Sequence, residues 1–461
     1  MPTITFNDFA LGLDVRKGPS TSEANRLRRI DNAYVTTGKT IRKRPGWERI
    51  ATLEPGTVGL EAGLGKLNTF YGGADTITHT DTRFMARKLV TSDNLAVQTV
   101  YSADVFNGCL YVAAQHSGDV NRHHYLDGAA TTAVADSQCP HTPVFIKKTS
   151  KIFSVSPDGD TVRFCKTNFP RDWTTANDAG FLPVGLQQRG ATDCVALGEF
   201  NNQLVTFFPD SAQVWTIDPD PTNMVLSQTV DIGTTHRASH AGMGGDVFFL
   251  SPSGVRSVGM AYQTGNLIDT DVGSPVDSIV RQVLTGEVNG FYYKGGGQYW
   301  LVSGNKALVY SFSRTAKISA WSIYTFAFSL DYVTELDAVL YARSGDTVYR
   351  FNPDVTSDDG VPFAVDIEMA YLDFQSPGFL KQISALDMVI SGEGEVQFRF
   401  DPRDPSLVTS PPVPAFGDTR PGYLLPVELL ATNIAPVIHA ASDGPFELHA
   451  LTFYFEKLGP V

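Results

Sequence analysis

A short two-strand unit recurs along this chain, and its spacing constrains the fold more than any other feature. The first runs are KLNTF from Lys66, FNGCLYVAA from Phe106, KIFSVS from Lys151, FNNQLVTFF from Phe200, DVFFLS from Asp246, QYWLVS from Gln298 and AVLYAR from Ala338. Tight turns lead into second runs, among them DTVRFCKT from Asp160, SAQVWTID from Ser211, SGVRSVG from Ser253, KALVYSFS from Lys306 and GDTVYRFN from Gly345. Successive copies start roughly 40 to 50 residues apart, which is the spacing of β-propeller blades. Leu204, Thr206 and Phe208 alternate with Val205 and Phe207, so apolar groups occupy both faces, as a strand stacked between neighbouring sheets requires. Pro157-Asp158-Gly159 and Ser253-Gly254 supply hairpin turn chemistry. The expectation is an all-β chain with a propeller of six or seven blades over residues 57–354.

The flanking segments do not repeat. Within residues 1–56, TSEANRLRRIDNAY reads as a short helix, because Ser20 and Glu23 have capping-box spacing and Ala24 and Leu27 share a helical face. AYVTTGKTIRKRPGW reads as a hairpin that turns at Thr37-Gly38 and is stopped by Pro45-Gly46. This N-terminal arm is the most basic part of the chain. Its Arg26, Arg28, Arg29, Arg42, Lys43 and Arg44, with Trp47, read as a contact surface for a neighbouring subunit, ahead of phosphate binding or a merely solvated face. Past the turn-rich VTSDDGVP, residues 362–461 read as a smaller antiparallel β-domain of sandwich type. In it GEVQFRF sets Val396, Phe398 and Phe400 on one face, and FELHALTFYF changes phase near His449, the mark of a bulge. The Pro-rich stretch from Asp401 to Gly422 reads as a long surface excursion.

Bulk properties narrow the function. Net charge is −13 and charged residues make up only 18% of the chain, which argues against a nucleic-acid binder, since backbone affinity needs clustered Lys and Arg. Four cysteines, Cys109, Cys139, Cys165 and Cys194, are too few and too widely spaced for a disulfide framework and read as buried thiols assembled in a cytosol. The 41 Gly and 27 Pro interrupt the chain too often for long helices. No apolar run of membrane-spanning length and no secretory leader pattern is present, so secretion and membrane insertion are not expected.

Candidate chemistry is sparse. His236 and His240 have the spacing of two zinc ligands on a helix, but Gly242, Gly244 and Gly245 argue against a helix there. His116, His123 and His124 read as a surface cluster beside a turn, and Asp269, Asp271 and Asp277 as a solvated loop rather than a calcium site. The run GGGQYW, Gly295 to Trp300, reads as a loop leading into a strand, with a sugar-stacking surface at Tyr299 and Trp300 as the alternative. Neither a G-x-S-x-G elbow nor a phosphate-cradling glycine loop occurs. The chain is therefore expected not to be an enzyme and to carry no cofactor and no metal.

The string FALGLDVRKGP…RLRRIDNAYVTTGKTIRKRPGW resembles the opening of bacteriophage tail nozzle proteins. The matching positions are Phe9, Gly12, Leu13, Asn32, Gly38, Lys43, Arg44, Pro45 and Gly46. The middle, with FPRDWTTANDAGFLPVG and FNNQLVTFFPDSAQVW, and the closing Leu458-Gly459 are similar to the related hub and DNA-stabilisation proteins. The resemblance implies a structural virion protein: a β-propeller subunit of a homo-oligomeric ring, typically a hexamer. Such a ring docks below the head-to-tail adaptor, surrounds the channel through which DNA is ejected, and carries fibres or a needle. It would assemble in the host cytoplasm, with DNA passing unbound and no membrane partner. A carbohydrate-binding or glycan-cleaving propeller is the alternative function, and fold alone does not choose between them.

Overall fold

The computed structural model describes residues 2–72, 77–127, 132–188, 190–191, 193–264, 272–416 and 424–460. The chain is all-β. Among the described residues the α-helices are two short ones, Val258–Thr264 and Asp277–Val283.

Among the described residues, seven sheet units of three or four consecutive strands follow one another from residue 57 to residue 352, the sixth and seventh continuing into larger sheets. The seven recurring runs are their middle strands: Lys66–Tyr71, Cys109–His116, Lys151–Val155, Gln203–Phe207, Asp246–Ser251, Gln298–Ser303 and Val339–Ser344. The second runs form the next strand out. Each middle strand is also preceded by an inner strand that the sequence reading missed. The inner strands are Thr57–Gly63, Val97–Phe106, Phe145–Lys148, Ala196–Phe200, Ala241–Met243, Asn289–Tyr293 and Tyr332–Leu336.

Neighbouring sheets pack face to face, and alternate residues of one strand serve two different cores. Leu204 and Phe208 pack with Phe153 and Phe164 of the third sheet. Val205 and Phe207 face the other way, onto Val247 and Phe249 of the fifth. The same logic joins the first sheet to the second through Phe70 and Val112, and the second to the third through Tyr111 and Ile152. Phe248 with Tyr299 joins the fifth to the sixth, and Trp300 with Tyr349 the sixth to the seventh. Leu60 and Leu67 of the first sheet then meet Tyr341 and Val348 of the seventh, which closes the series on itself. Each such side chain, fully buried, contributes about 1.5–3 kcal/mol.

The closure has a second part. The strand Gly46–Thr52 pairs antiparallel with Thr347–Asn352, Trp47 opposite Phe351, so the N-terminal segment supplies the outer strand of the seventh sheet. The rest of that segment joins the C-terminal region. Leu27–Asp31 lies between the sixth sheet and Val365–Met369, and the hairpin of Ala33–Val35 and Ile41–Lys43 adds to the edge of Glu447–Pro460. The N-terminal residues are thus a strap woven through both regions and not a separate arm.

The C-terminal region packs two sheets over one core. Leu386 and Met388 of Phe379–Ser391, with Leu451 and Phe453 of Glu447–Pro460, face Ile367, Phe398 and Ile438 from the opposite sheet. Val396 and Phe398 are buried as their alternation requires. The bulge is present at His449, where Val389 pairs with Ala450 and Ile390 with Leu448. Val413–Ala415 in the Pro-rich stretch forms a short strand on Gly394–Arg399, and residues 417–422 of that stretch lie outside the described residues.

The expected N-terminal helix is corrected. Residues 21–25 are turn and bend without helix, and Leu27–Asp31 is a strand. Glu23 does not cap a helix but pairs with Lys17 and Arg26. Leu27 opposes Met369 while Arg29 opposes Glu368, so Arg28 is the extra residue of a bulge.

Candidate functional site

The basic segment is the first place to look, and its residues fall into two groups. Arg44 is fully buried, and each of its five N–H groups has a partner. Nε donates to Asn32 Oδ1 at 3.1 Å, Nη1 to Pro45 O and Asp358 Oδ1, and Nη2 to Thr325 O and Asp358 Oδ2 at 2.6 Å. The guanidinium also stacks on Phe363, 3.6 Å from the ring centroid. Lys43 is buried as well and donates to Ser442 O and Gly444 O, with burial depressing its pKa. Trp47 is fully buried between Phe326 and Phe351.

Lys43, Arg44 and Trp47 therefore cannot be a subunit contact, and that expectation is corrected. Their charge and bulk serve the junction between the ring of sheets and the C-terminal region. Pro45, which has no N–H to continue the ladder, ends the hairpin. Gly46 then passes so close to Ser357 that a Cβ would stand 2.0 Å from its carbonyl oxygen. At the other end of the strap Gly12, at φ +54°, lies against Ala320, where a Cβ would come within 2.7 Å.

The remaining basic residues sit at or near the surface, each with a partner. Arg26 pairs with buried Asp14 and with Glu23, and Arg28 donates to the carbonyls of Asp14 and Lys17. Arg29 bridges Asp31 and Asp366, and Arg42 pairs with Glu447. About half of the Arg29 and Arg42 side chains stays exposed, at 50% and 52%.

A cavity of about 280 Å³ lies where the inner strands converge. Tyr101, Phe145, Leu197, Phe291 and Tyr332 contribute to its wall, with Ser102, Arg237, His240 and Asn289 among its polar residues. Arg237 is held over the Tyr101 ring and ion-paired to Glu287. Burial drops His240 to a pKa of about 4, so its imidazole is neutral. Nearby, Tyr332 and Thr334 donate hydrogen bonds to Glu61 at 2.6 and 2.9 Å. Desolvation raises the Glu61 carboxyl to about 7, with Asp104 adding repulsion. The cavity thus has a wall of mixed polarity, with Arg237 as its cation and His240 as a neutral imidazole.

The other candidates also find their places. His236 and His240 sit in a loop and line different cavities, so they form no site. Asp277 pairs bidentately with Arg256, while Asp269 and Asp271 lie outside the described residues. Tyr299 and Trp300 are fully buried, and Trp300 is stacked among Phe291, Tyr324 and Phe326. A sugar-stacking surface at these two residues is excluded. His116, His123 and His124 are not on the surface either: all three are fully buried. His116 Nε2 and His124 Nε2 lie 3.0 Å apart on one face of their sheet, and His123 joins Tyr111, Cys139 and His141 on the other. The His-His step was legible in the sequence, but its burial was not. The four cysteines are free thiols.

No protein-family model matches the chain, and no curated protein does. Among solved structures, the computationally designed Ika8 protein aligns with 74% of this chain and all of its own, at 12% identity and a TM-score of 0.38. A likeness that thin carries no argument about fold family or function.

Proposed function

We propose that this chain is a structural subunit of a phage tail nozzle or hub, in which the seven packed sheets are the blades of a propeller. The observation that carries the reading is where the nozzle-like residues lie. Phe9 and Leu13 are buried, Gly12 and Gly46 pass too close to Ala320 and Ser357 to admit a Cβ, and Asn32 and Arg44 bond each other at the junction. The signature thus falls at contacts that join the series of sheets to the second β-region. Such contacts have a purpose in a part that bears load between neighbours.

The surface offers material for self-association. The strand Leu424–Ala431 is the edge of its sheet and exposes Leu424 and Leu430, and Phe416 close by in sequence is 70% exposed. An unpaired edge with apolar side chains invites a partner strand or surface. A second copy of the chain is the occupant proposed, with Arg29 and Arg42 as peripheral charges. The net charge of −13 would let duplex DNA pass the assembled lumen without capture.

Analytical ultracentrifugation and cryo-EM of the purified protein, alone and with its adaptor, test this. A closed ring is expected, weakened by Leu430→Glu and, more so at low salt, by paired Arg29→Glu and Arg42→Glu. A protein that stays monomeric with adaptor present would sink the proposal.

A further inference from the structure

We propose that His123, Cys139 and His141 form a binding site for one transition-metal cation of the zinc class. The three ligand atoms, two imidazole Nδ1 and one Sγ, all lie within 4.8 Å of one another. Cys139 Sγ is 3.6 Å from His123 Nδ1 and 3.6 Å from His141 Nδ1. A tetrahedral centre with metal–sulfur bonds of about 2.3 Å and metal–nitrogen bonds of about 2.0–2.1 Å has sulfur–nitrogen edges of about 3.5 Å. The cluster already has those edges.

The ring tautomers agree with this assignment. His123 Nε2 is 2.7 Å from Thr142 O, and a carbonyl only accepts, so Nε2 carries the proton and Nδ1 the lone pair. That outer hydrogen bond is the usual device for orienting a metal-binding imidazole. His141 Nδ1 accepts the backbone N–H of His123 at 3.0 Å and His123 Nδ1 accepts the Tyr111 O–H at 2.8 Å, so both nitrogens carry lone pairs, each held by a donor that a metal would displace. Both Nδ1 atoms stand 3.6 Å from the same sulfur. Binding would release the Cys139 proton to solvent, form one metal–sulfur and two metal–nitrogen bonds, and break two hydrogen bonds, from the His123 N–H to His141 Nδ1 and from the Tyr111 O–H to His123 Nδ1. Water fills the fourth position, and Tyr111 Oη, 2.8 Å from His123 Nδ1, is too close for a ligand edge.

The position gives such a site a use. His123 lies on Val120–Leu126 of the second sheet, and Cys139 and His141 lie on the connector that enters Phe145–Lys148 of the third. Among the described residues the two sheets share no strand pairing and meet through side chains such as Tyr111 and Ile152. A metal would add a coordinate link between them.

Cobalt(II) and zinc(II) titrations of the full-length, metal-stripped protein test the proposal. One equivalent of cobalt should give tetrahedral d–d bands with a thiolate charge-transfer band, zinc should displace it, and zinc should raise the melting temperature. Cys139→Ser should remove the thiolate band. His141→Ala, at a half-buried loop position, should weaken binding at least tenfold while the fold is kept, and Cys109→Ser and Cys194→Ser should change neither. Absence of a cobalt spectrum, or a spectrum that survives both Cys139→Ser and His141→Ala, would overturn the assignment and leave a hydrogen-bonded packing cluster.

Discussion

Replacing Asp358 by Asn should destabilise the protein far more than removing any exposed ion pair. The substitution keeps the shape of the side chain and deletes its charge. Arg44 then stays fully buried with a cation that has lost its only counter-charge, since its other partners are neutral oxygens. Leaving a buried charge uncompensated in this way costs about 3–5 kcal/mol. For a chain of 461 residues unfolding as one unit, an entropy of about 2.1 cal/mol/K per residue makes 1 kcal/mol worth about 1 °C, so a drop of about 3–5 °C is expected. Arg42→Ala, which breaks a half-exposed pair with Glu447, should cost about 0–1 kcal/mol. Differential scanning calorimetry reads both. The double replacement Arg44→Met with Asp358→Leu should recover much of the loss, because paired apolar groups can substitute for a buried ion pair. If Asp358→Asn melted within about 1 °C of the parent, or if the double variant were worse than the single one, the junction would not depend on this pair.

Two further perturbations probe the ring. The Glu61 carboxyl sits at about 7 in the folded chain against 4.5 in the unfolded one, so folding takes up a proton; stability is full below about 4.5 and declines as pH rises through 7, by about 3 kcal/mol in all. Glu61→Gln should flatten that decline in denaturant melts from about pH 4.5 to 8, and an unchanged slope would show that Glu61 is solvated. Trp300→Ala should cost about 3–5 kcal/mol by opening a cavity and leave glycan-array binding no different from the parent; a specific loss of glycan binding in a fully folded variant would contradict the burial described.

What the sequence revealed depended on which faces of a strand are covered. The middle strands announce themselves because both faces are buried, as in Leu204 against one neighbour and Val205 against the other. Inner strands such as Phe145–Lys148 and Asn289–Tyr293 are short and half-buried, so their pattern is too weak to separate from a loop. The misread helix has a definite cause. Ser20 with Glu23 and Ala24 with Leu27 have helical spacing, but Glu23 is drawn into ion pairs with Lys17 and Arg26, and Leu27 opens a strand that pairs with Val365–Met369. For Lys43 the clue was alternation: it shares a face with buried Ile41 while Arg42 points out. Charge outweighed period in the reading, and the burial of Arg44 was legible only once Asp358, more than 300 positions away, was brought beside it.

That distance matters during synthesis. The strand Gly46–Thr52 leaves the ribosome long before Thr347–Asn352, the strand it pairs with. At about 5–20 residues per second, it waits about 15–60 s for a partner. Throughout that time the first sheet also lacks its neighbour on one side, so the growing chain carries two open edges. Ring closure must then be among the last folding events, and the half-made protein is the form most in need of a chaperone.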